Sequence, residues 1–413
     1  ILNVLKKILT IIFISIFLFG KPVFCNELET SNEPSLSCES AFIFDNKTNQ
    51  VLYSLNEDKK MFPASTTKIL TAIVVIENCN LSDVVTARYD AISLIPEGYS
   101  TADIKIGEQF TVEQLLELLL IRSYNDAANI LADYTGGSID SFITMLNTKI
   151  SDLGLSNTHF TNAYGLQDDL HYTTAKDLAC IMKYCLKNDI FRAIAGRASC
   201  NIPATNVSMP RSLISTNELL LPDSPYYYKY LMTGKTGFTT QAKQCLVSSA
   251  YKDDVELVEV ILGSENRFED ALRLYEYCYS NYSMRTVLPE NGFVKSIDIK
   301  NAKYNMKSLN LLTENKIIAL LPNSFSLDEI EPKITLNKLI LAPIEKGDVI
   351  GTVAYTFDGI EYSSNLIAET SVEPTKFLYY FSIISMIVIF VGILFLMYYF
   401  LFLGKTKVNN NEL

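Results

Sequence analysis

The amino-acid sequence predicts an α/β (α+β) domain with helices around an antiparallel sheet, then a second, small all-β domain and a C-terminal transmembrane helix. Strand-like runs stand at both ends of residues 39–284 with helical patterns between them, so one sheet is assembled from distant segments and covered by helices. Over residues 285–370 short apolar runs alternate with turns and no helical period appears. Phe377 to Leu403 carries no charge and, at about 1.5 Å per residue, reaches ~40 Å, enough to cross a ~30 Å hydrocarbon core with tilt.

Residues 1–25 have the form of a secretory signal peptide. Lys6 and Lys7 supply the positive start, Ile8–Phe19 is mostly apolar but too short to span a bilayer, and Val23 and Cys25 suit a cleavage site. Residues 26–38 are rich in Ser, Asn and Glu, as a flexible leader would be. Ala41–Asp45 and Val51–Leu55 read as two strands joined by a turn. Thr66–Glu77 reads as a buried helix through Ile69, Leu70, Ile73, Val74 and Ile76. Thr111 and Gln114 have capping-box spacing ahead of Leu115, Leu116, Leu118 and Leu119. Helices follow at Asn125–Tyr134 and Ile139–Leu153, a strand pair at Cys245–Tyr251 and Val255–Leu262, and a helix at Arg267–Tyr279. Tyr379, Tyr380, Tyr398 and Tyr399 flank the apolar run 377–403 as an aromatic belt. Lys405 and Lys407 then place the tail 404–413 in the cytoplasm and the body on the extracytoplasmic face of the plasma membrane.

Composition excludes several classes. The 413 residues carry Lys+Arg 35 against Asp+Glu 46, a net charge of −11, which argues against nucleic acid as a partner. With His159 and His171 as the two histidines, no His-rich zinc site is expected, and no metal or cofactor is implied. The cysteines include no C-x-x-C pair and become an odd set once Cys25 leaves, so they read as small buried hydrophobes. Cys180 and Cys185 point to different sides of a helix.

Three short motifs carry the chemistry. Ser65 and Lys68 stand one turn apart at the start of a buried helix, where a desolvated ammonium loses its proton and serves as a base for the hydroxyl. About two Ser-x-x-Lys matches arise by chance in a chain this long, so alone it equally describes a capped helix start with a surface lysine. Ser123-Tyr124-Asn125 offers a hydroxyl and a carboxamide in the break between two helices, and alone reads as a helix cap. Lys235-Thr236-Gly237 places a lysine and a hydroxyl beside a glycine, suited to a carboxylate on an extended edge strand. A phosphate-binding loop is excluded, because its first glycine would fall at Lys229.

Together the motifs are the set found in penicillin-binding proteins and β-lactamases. Further blocks resemble one branch, the membrane-anchored serine-type D-alanyl-D-alanine carboxypeptidases: Pro63-Ala64-Ser65-Thr66-Thr67-Lys68, Ser123-Tyr124-Asn125-Asp126-Ala127-Ala128, the run from His159 to Leu166, the run from Thr173 to Ala179, and Lys235-Thr236-Gly237-Phe238-Thr239. The tail with Ala342-Pro343-Ile344 is similar to the accessory domain of that family. The likeness covers about residues 35–370 and implies a β-lactamase/transpeptidase-like fold. It departs at Tyr124, where the branch usually has glycine; pointing inward, that side chain would narrow the site.

The resemblance implies roles residue by residue. Ser65 is the acylated nucleophile and Lys68 its base. Ser123 relays the proton to the departing amine and Asn125 holds the peptide amide. Lys235 and Thr236 bind the terminal carboxylate, beside Gly237, and the N–H groups of Ser65 and Phe238 form the oxyanion hole. Peptidoglycan stem peptides are the implied substrate, and β-lactam antibiotics the implied covalent inhibitors. Two other readings stay open on sequence alone. A β-lactamase needs an activated water, and no glutamate stands between Thr158 and Asp177 to supply it. A non-catalytic wall-binding or sporulation protein would use the same fold with Tyr124 blocking the site.

Overall fold

The structure is a computed structural model that describes residues 33–400. The expected signal segment, most of the leader and the tail 404–413 lie outside the described residues. In chain order the first part comprises β1 (Ser40–Asp45), β2 (Val51–Leu55), α1 (Lys68–Asn78), β3 (Val84–Thr86), α2 (Tyr89–Ser93), β4 (Gln109–Thr111), α3 (Val112–Leu120), α4 (Asn125–Gly136), α5 (Ile139–Asp152), α6 (Ala175–Cys185), α7 (Asp189–Ala195), β5 (Ser199–Ile202), β6 (Arg211–Ile214), β7 (Leu231–Thr239), β8 (Lys243–Lys252), β9 (Val255–Ser264) and α8 (Arg267–Asn281).

The main sheet has the order β2-β1-β9-β8-β7, antiparallel throughout. It is built from the N-terminal hairpin and three late strands, as the distant apolar runs predict. Strand alternation gives it two buried faces. Phe42, Phe44, Val247, Val258 and Val260 join the larger core with α1 and α3–α7. Ala41, Ile43, Leu246, Leu257 and Ile261 face α8, which covers them with Phe268, Ala271, Leu274, Tyr275 and Cys278. Leu36 packs on that second core, and Ser37 bonds both carboxylate oxygens of Asp270, so the last residues of the expected leader are tied down. Strand β7 stands at the sheet edge with one side unpaired.

The capping box is complete: Thr111 Oγ1 accepts from the Gln114 N–H, and Gln114 Oε1 accepts from the Thr111 N–H. It starts α3, whose leucines are buried and whose end leads into the Ser123 turn. Short helices α2 and α7 and the ribbons β3–β4 and β5–β6 escape sequence reading, because none is long enough to establish a period. The cysteines among the described residues are free thiols, Cys180 exposed and Cys185 buried.

The second part is all-β. β11 (Phe293–Asp298), β12 (Ser308–Thr313), β14 (Lys333–Leu336), β15 (Val349–Phe357) and β16 (Ile360–Ala368) form one antiparallel sheet. β10 (Tyr282–Leu288) and β13 (Ile317–Pro322) form a separate ribbon, and Leu320 of β13 enters the core beneath α8. Gln50 Nε2 also donates to Asp358 Oδ2 at 3.0 Å. The last helix, α9 (Lys376–Tyr398), contains a span at Tyr380–Tyr398 with mean hydropathy 2.6 and no buried residue, long and apolar enough to cross a membrane.

Removing the cap tests how far α3 depends on it. Thr111→Ala should lower unfolding free energy by about 1 kcal/mol, read from the shift in urea midpoint at constant slope.

Candidate active site

The segment before α1 is a single 3₁₀ turn, Ala64–Thr67. The sequence pattern predicts an α-helix from Thr66, but the α-helix begins at Lys68. Local hydroxyls account for the difference: Thr66 Oγ1 donates to Pro63 O at 2.7 Å and Thr67 Oγ1 to Ala64 O at 2.9 Å, both at three-residue spacing. In a 3₁₀ turn side chains at i and i+3 eclipse, which stacks Ser65 on Lys68. Ala64 holds φ +47°, a left-handed conformation costly for a side chain, at the residue before the serine.

Lys68 is 0% exposed. Its Nζ lies 2.8 Å from each of Ser65 Oγ, Asn125 Oδ1 and Tyr164 O. Burial holds its pKa well below the usual lysine value, the charge of Lys235 lowers it further, and Asp126 opposes both. A neutral amine has two N–H donors and one lone pair. In that form Asn125 Oδ1 and Tyr164 O, which can only accept, would take the two N–H groups and leave the lone pair for the Ser65 hydroxyl. That is the arrangement a general base needs.

The second motif sits at the break between α3 and α4. Ser123 has φ +68° and lines the cleft, and Asn125 begins α4. Asp126 is buried and accepts from the N–H groups of Ala102 and Ile104, while the Asn125 N–H donates to Ser100 O at 2.9 Å. These bonds hold Tyr99 and Ser100 at the cleft wall. Tyr124 lines a neighbouring groove instead and packs on the larger core. The inward narrowing that its bulk suggests does not occur.

The third motif lies on β7. Thr236, Gly237 and Phe238 line the cleft, a space of about 330 Å³, together with Ser65, Ser123 and Asn125. Lys235 does not line it: 1% exposed, it lies beneath and donates to Thr236 O at 2.9 Å. Burial, then the neighbouring Arg267 charge, lowers its pKa to about 7. Thr236 Oγ1 lies 2.6 Å from Thr216 Oγ1. A Cβ on Gly237 would stand 2.9 Å from Pro63 O and 3.0 Å from the Ser65 nitrogen, so only glycine lets β7 approach the serine turn this closely.

Sequence reasoning missed Arg267, which starts α8 and lines the cleft. Its Nη1 donates to Gly237 O at 2.6 Å, and its buried Nε has no partner. No local pattern marks it; the register of β7, β8 and α8 brings it in. The Tyr164 carbonyl and Thr216 were missed for the same reason.

His171 supports the serine turn from behind. Its Nδ1 accepts from the Thr161 N–H at 3.0 Å, so Nε2 carries the proton and donates to Thr67 Oγ1 at 2.9 Å. The ring stacks on Phe160 with centroids 4.8 Å apart. Neither His171 nor His159 lines the cleft. Gly165, at φ +89°, passes so close that a Cβ there would lie 1.9 Å from Ala64 O.

Comparison with known proteins agrees with this geometry. Residues 27–266 match the D-alanyl-D-alanine carboxypeptidase family, and residues 282–374 match the penicillin-binding protein 5 C-terminal domain. The chain is 29% identical to D-alanyl-D-alanine carboxypeptidase DacF of Bacillus subtilis, covering 86% of this chain and 91% of that protein. It is 31% identical to D-alanyl-D-alanine carboxypeptidase DacC of Escherichia coli, covering 88% and 90%. Penicillin-binding protein 5 from Haemophilus influenzae superposes with a TM-score of 0.62 at 25% identity, covering 83% of this chain and 99% of that one.

Burial pushes the His171 pKa down to about 3, with His159 and Lys68 acting the same way. The unfolded chain binds a proton near pH 6.5 that the fold refuses, so stability falls as pH drops from about 6.5 toward 3. Chemical denaturation across that window should show His171→Gln losing a slope of about 1.4 kcal/mol per pH unit relative to the parent. An unchanged slope would mean that His171 is protonated in the fold.

Proposed function

The chain belongs to the D-alanyl-D-alanine carboxypeptidase family of serine peptidases, and from that premise we propose that it removes the terminal D-alanine of peptidoglycan stem peptides through an acyl-enzyme on Ser65. The carrying observation is the fully buried Lys68, whose Nζ lies 2.8 Å from Ser65 Oγ, Asn125 Oδ1 and Tyr164 O, so that in its neutral form the two acceptors would take its N–H groups and leave the lone pair for Ser65. Lys68 takes the hydroxyl proton as Ser65 Oγ attacks the carbonyl of the penultimate residue. The N–H groups of Ser65 and Phe238 receive the developing oxyanion, a contribution of about 3 kcal/mol per donor. Ser123 passes the proton to the departing amine. The NH₂ end of Asn125, opposite the oxygen given to Lys68, holds the peptide amide. Water then releases the acyl group by the reverse path.

The carboxylate anchor is revised from the lysine-centred expectation. Arg267 and the Thr236 hydroxyl reach the cleft, whereas Lys235 lies below it. We assign the carboxylate to Arg267 and Thr236, with Lys235 supplying positive potential and depressing the Lys68 pKa. β-Lactams present a carboxylate and a reactive carbonyl of the same disposition, so they should acylate Ser65. Helix α9, with Phe377, Phe390 and Phe395 exposed, would anchor the enzyme in the plasma membrane, its active site outside the cytoplasm.

Fluorescent penicillin on the full chain should label Ser65 stoichiometrically by peptide mapping, and Lys68→Arg should slow labelling by roughly 10² or more, because a guanidinium cannot act as base. Adduct on another serine, or an Arg variant at parental rate, would refute the assignment. Arg267→Leu should lower kcat/KM by about 10–150-fold on a free-acid peptide and far less on its C-terminal amide. Lys235→Gln removes a charge that holds the Lys68 pKa down. The acid limb of its pH–rate profile should therefore move to higher pH, on acid and amide substrates alike.

A further inference from the structure

The end of the β domain next to α9 differs in charge from the rest of the chain. Two of its loops, residues 299–307 between β11 and β12 and residues 337–348 between β14 and β15, are bonded to the residues that lead into α9. The Lys303 N–H donates to Glu373 O at 3.0 Å and the Thr375 N–H to Asn301 O at 2.9 Å. Ile344 and Val372 exchange N–H···O bonds of 3.0 and 2.8 Å, and the Lys346 N–H donates to Ser371 Oγ at 3.0 Å. Segments 299–307, 337–348 and 371–376 together carry six lysines against Glu345, Asp348 and Glu373, a net charge of +3 in a chain of −11. Lys303 is paired with Glu373; among the described residues Lys300, Lys307, Lys338, Lys346 and Lys376 make no ion pair. Beside these lysines two large apolar side chains stand in water, Tyr304 at 89% exposed and Leu339 at 75%.

The length of α9 sets the level of these loops. The 19 residues of Tyr380–Tyr398 rise by about 28 Å, close to the thickness of a hydrocarbon core. The helix begins at Lys376, roughly 6 Å earlier, which is about the depth of one headgroup layer. Residues 371–375, and the loops bonded to them, then stand at the membrane surface. We propose that the two loops form a collar that binds the anionic phospholipid headgroups of the bilayer that α9 enters. The inference rests on the reading of α9 as a membrane anchor. Lysines are drawn to an anionic surface over about a Debye length, ~8 Å at physiological salt. Tyrosine suits the same level, with its ring at the acyl-chain boundary and its hydroxyl in water. A chain of net negative charge is otherwise repelled by such a surface, so gathering lysines beside α9 turns this end toward it. A single helix leaves the body free to turn about residues 374–376; the collar supplies the second contact that fixes it.

The chain contains no tryptophan, so Tyr304→Trp and, separately, Leu339→Trp each supply one fluorophore. The full chain is reconstituted in liposomes of phosphatidylcholine alone or mixed equally with phosphatidylglycerol, with brominated lipid as quencher. Both variants should be quenched and blue-shifted in the mixed liposomes, and much less so in phosphatidylcholine. Adding Lys300→Gln, Lys307→Gln and Lys338→Gln to the Tyr304→Trp chain should reverse this at an unchanged unfolding midpoint, lowering the docked-to-free ratio by about fivefold per lysine. Quenching that is absent, or that ignores either phosphatidylglycerol or the three lysines, overturns the proposal. Alkaline carbonate separates this from failure of the anchor. A chain that resists the wash yet shows no quenching refutes the collar alone, whereas a chain washed off the liposomes refutes α9 as an anchor, and the collar falls with it.

Discussion

The site depends on keeping one lysine out of water. A fully buried ammonium is costly, and the fold meets that cost by favouring the neutral amine and giving its two N–H groups acceptors. Those acceptors come from Asn125 and from the Tyr164 carbonyl, on segments far from Lys68 in sequence. The surroundings of the proposed base are therefore a product of tertiary structure: α1, α4 and the 159–173 segment must all be docked before Lys68 Nζ has these partners. A local loss at either acceptor leaves an N–H competing for Ser65.

Close backbone approach is the second constraint, and it acts on the same turn. Gly165 presses on Ala64 from one side and Gly237 on Pro63 and Ser65 from the other. His171 braces Thr67 from below. The turn is thus over-determined, which explains how Ala64 persists at positive φ. Strain of this kind is affordable only where packing leaves no alternative.

Much of this is legible in the residues. The two-part architecture follows from where strand and helix periods change, and the α3 capping box from two side chains at fixed spacing. Ser65 and Lys68 are paired by spacing alone, although the 3₁₀ turn that stacks them depends on threonine hydroxyls bonding back three residues. What sequence does not disclose is whatever arrives through register. Arg267 reaches the cleft because α8 leaves β9 beside β8 and β7. Lys235 sinks below the cleft because β7 places alternate residues on alternate faces, so a lysine adjoining a cleft-lining threonine is turned away from the cleft. Tyr124 is the converse case: its bulk suggests obstruction, but the turn after α3 directs it into the adjoining groove.

The cations around the cleft form a graded series. Arg267 depresses Lys235, and Lys235 depresses Lys68, with Asp126 alone opposing at the base. Burial and this mutual repulsion together disfavour the charged forms, and an anion would relieve the repulsion. On the proposed assignment, a carboxylate at Arg267 and Thr236 would cancel part of the repulsion, favour the protonated form of Lys235, and by the same electrostatics raise the proton affinity of Lys68. On the proposed mechanism, the lowered pKa favours the neutral form of Lys68 before binding, and a bound carboxylate would make it a stronger base beside Ser65. On that reading, recognition of the carboxylate and activation of the serine would be two effects of one charge arrangement, and a ligand lacking the carboxylate would forgo both.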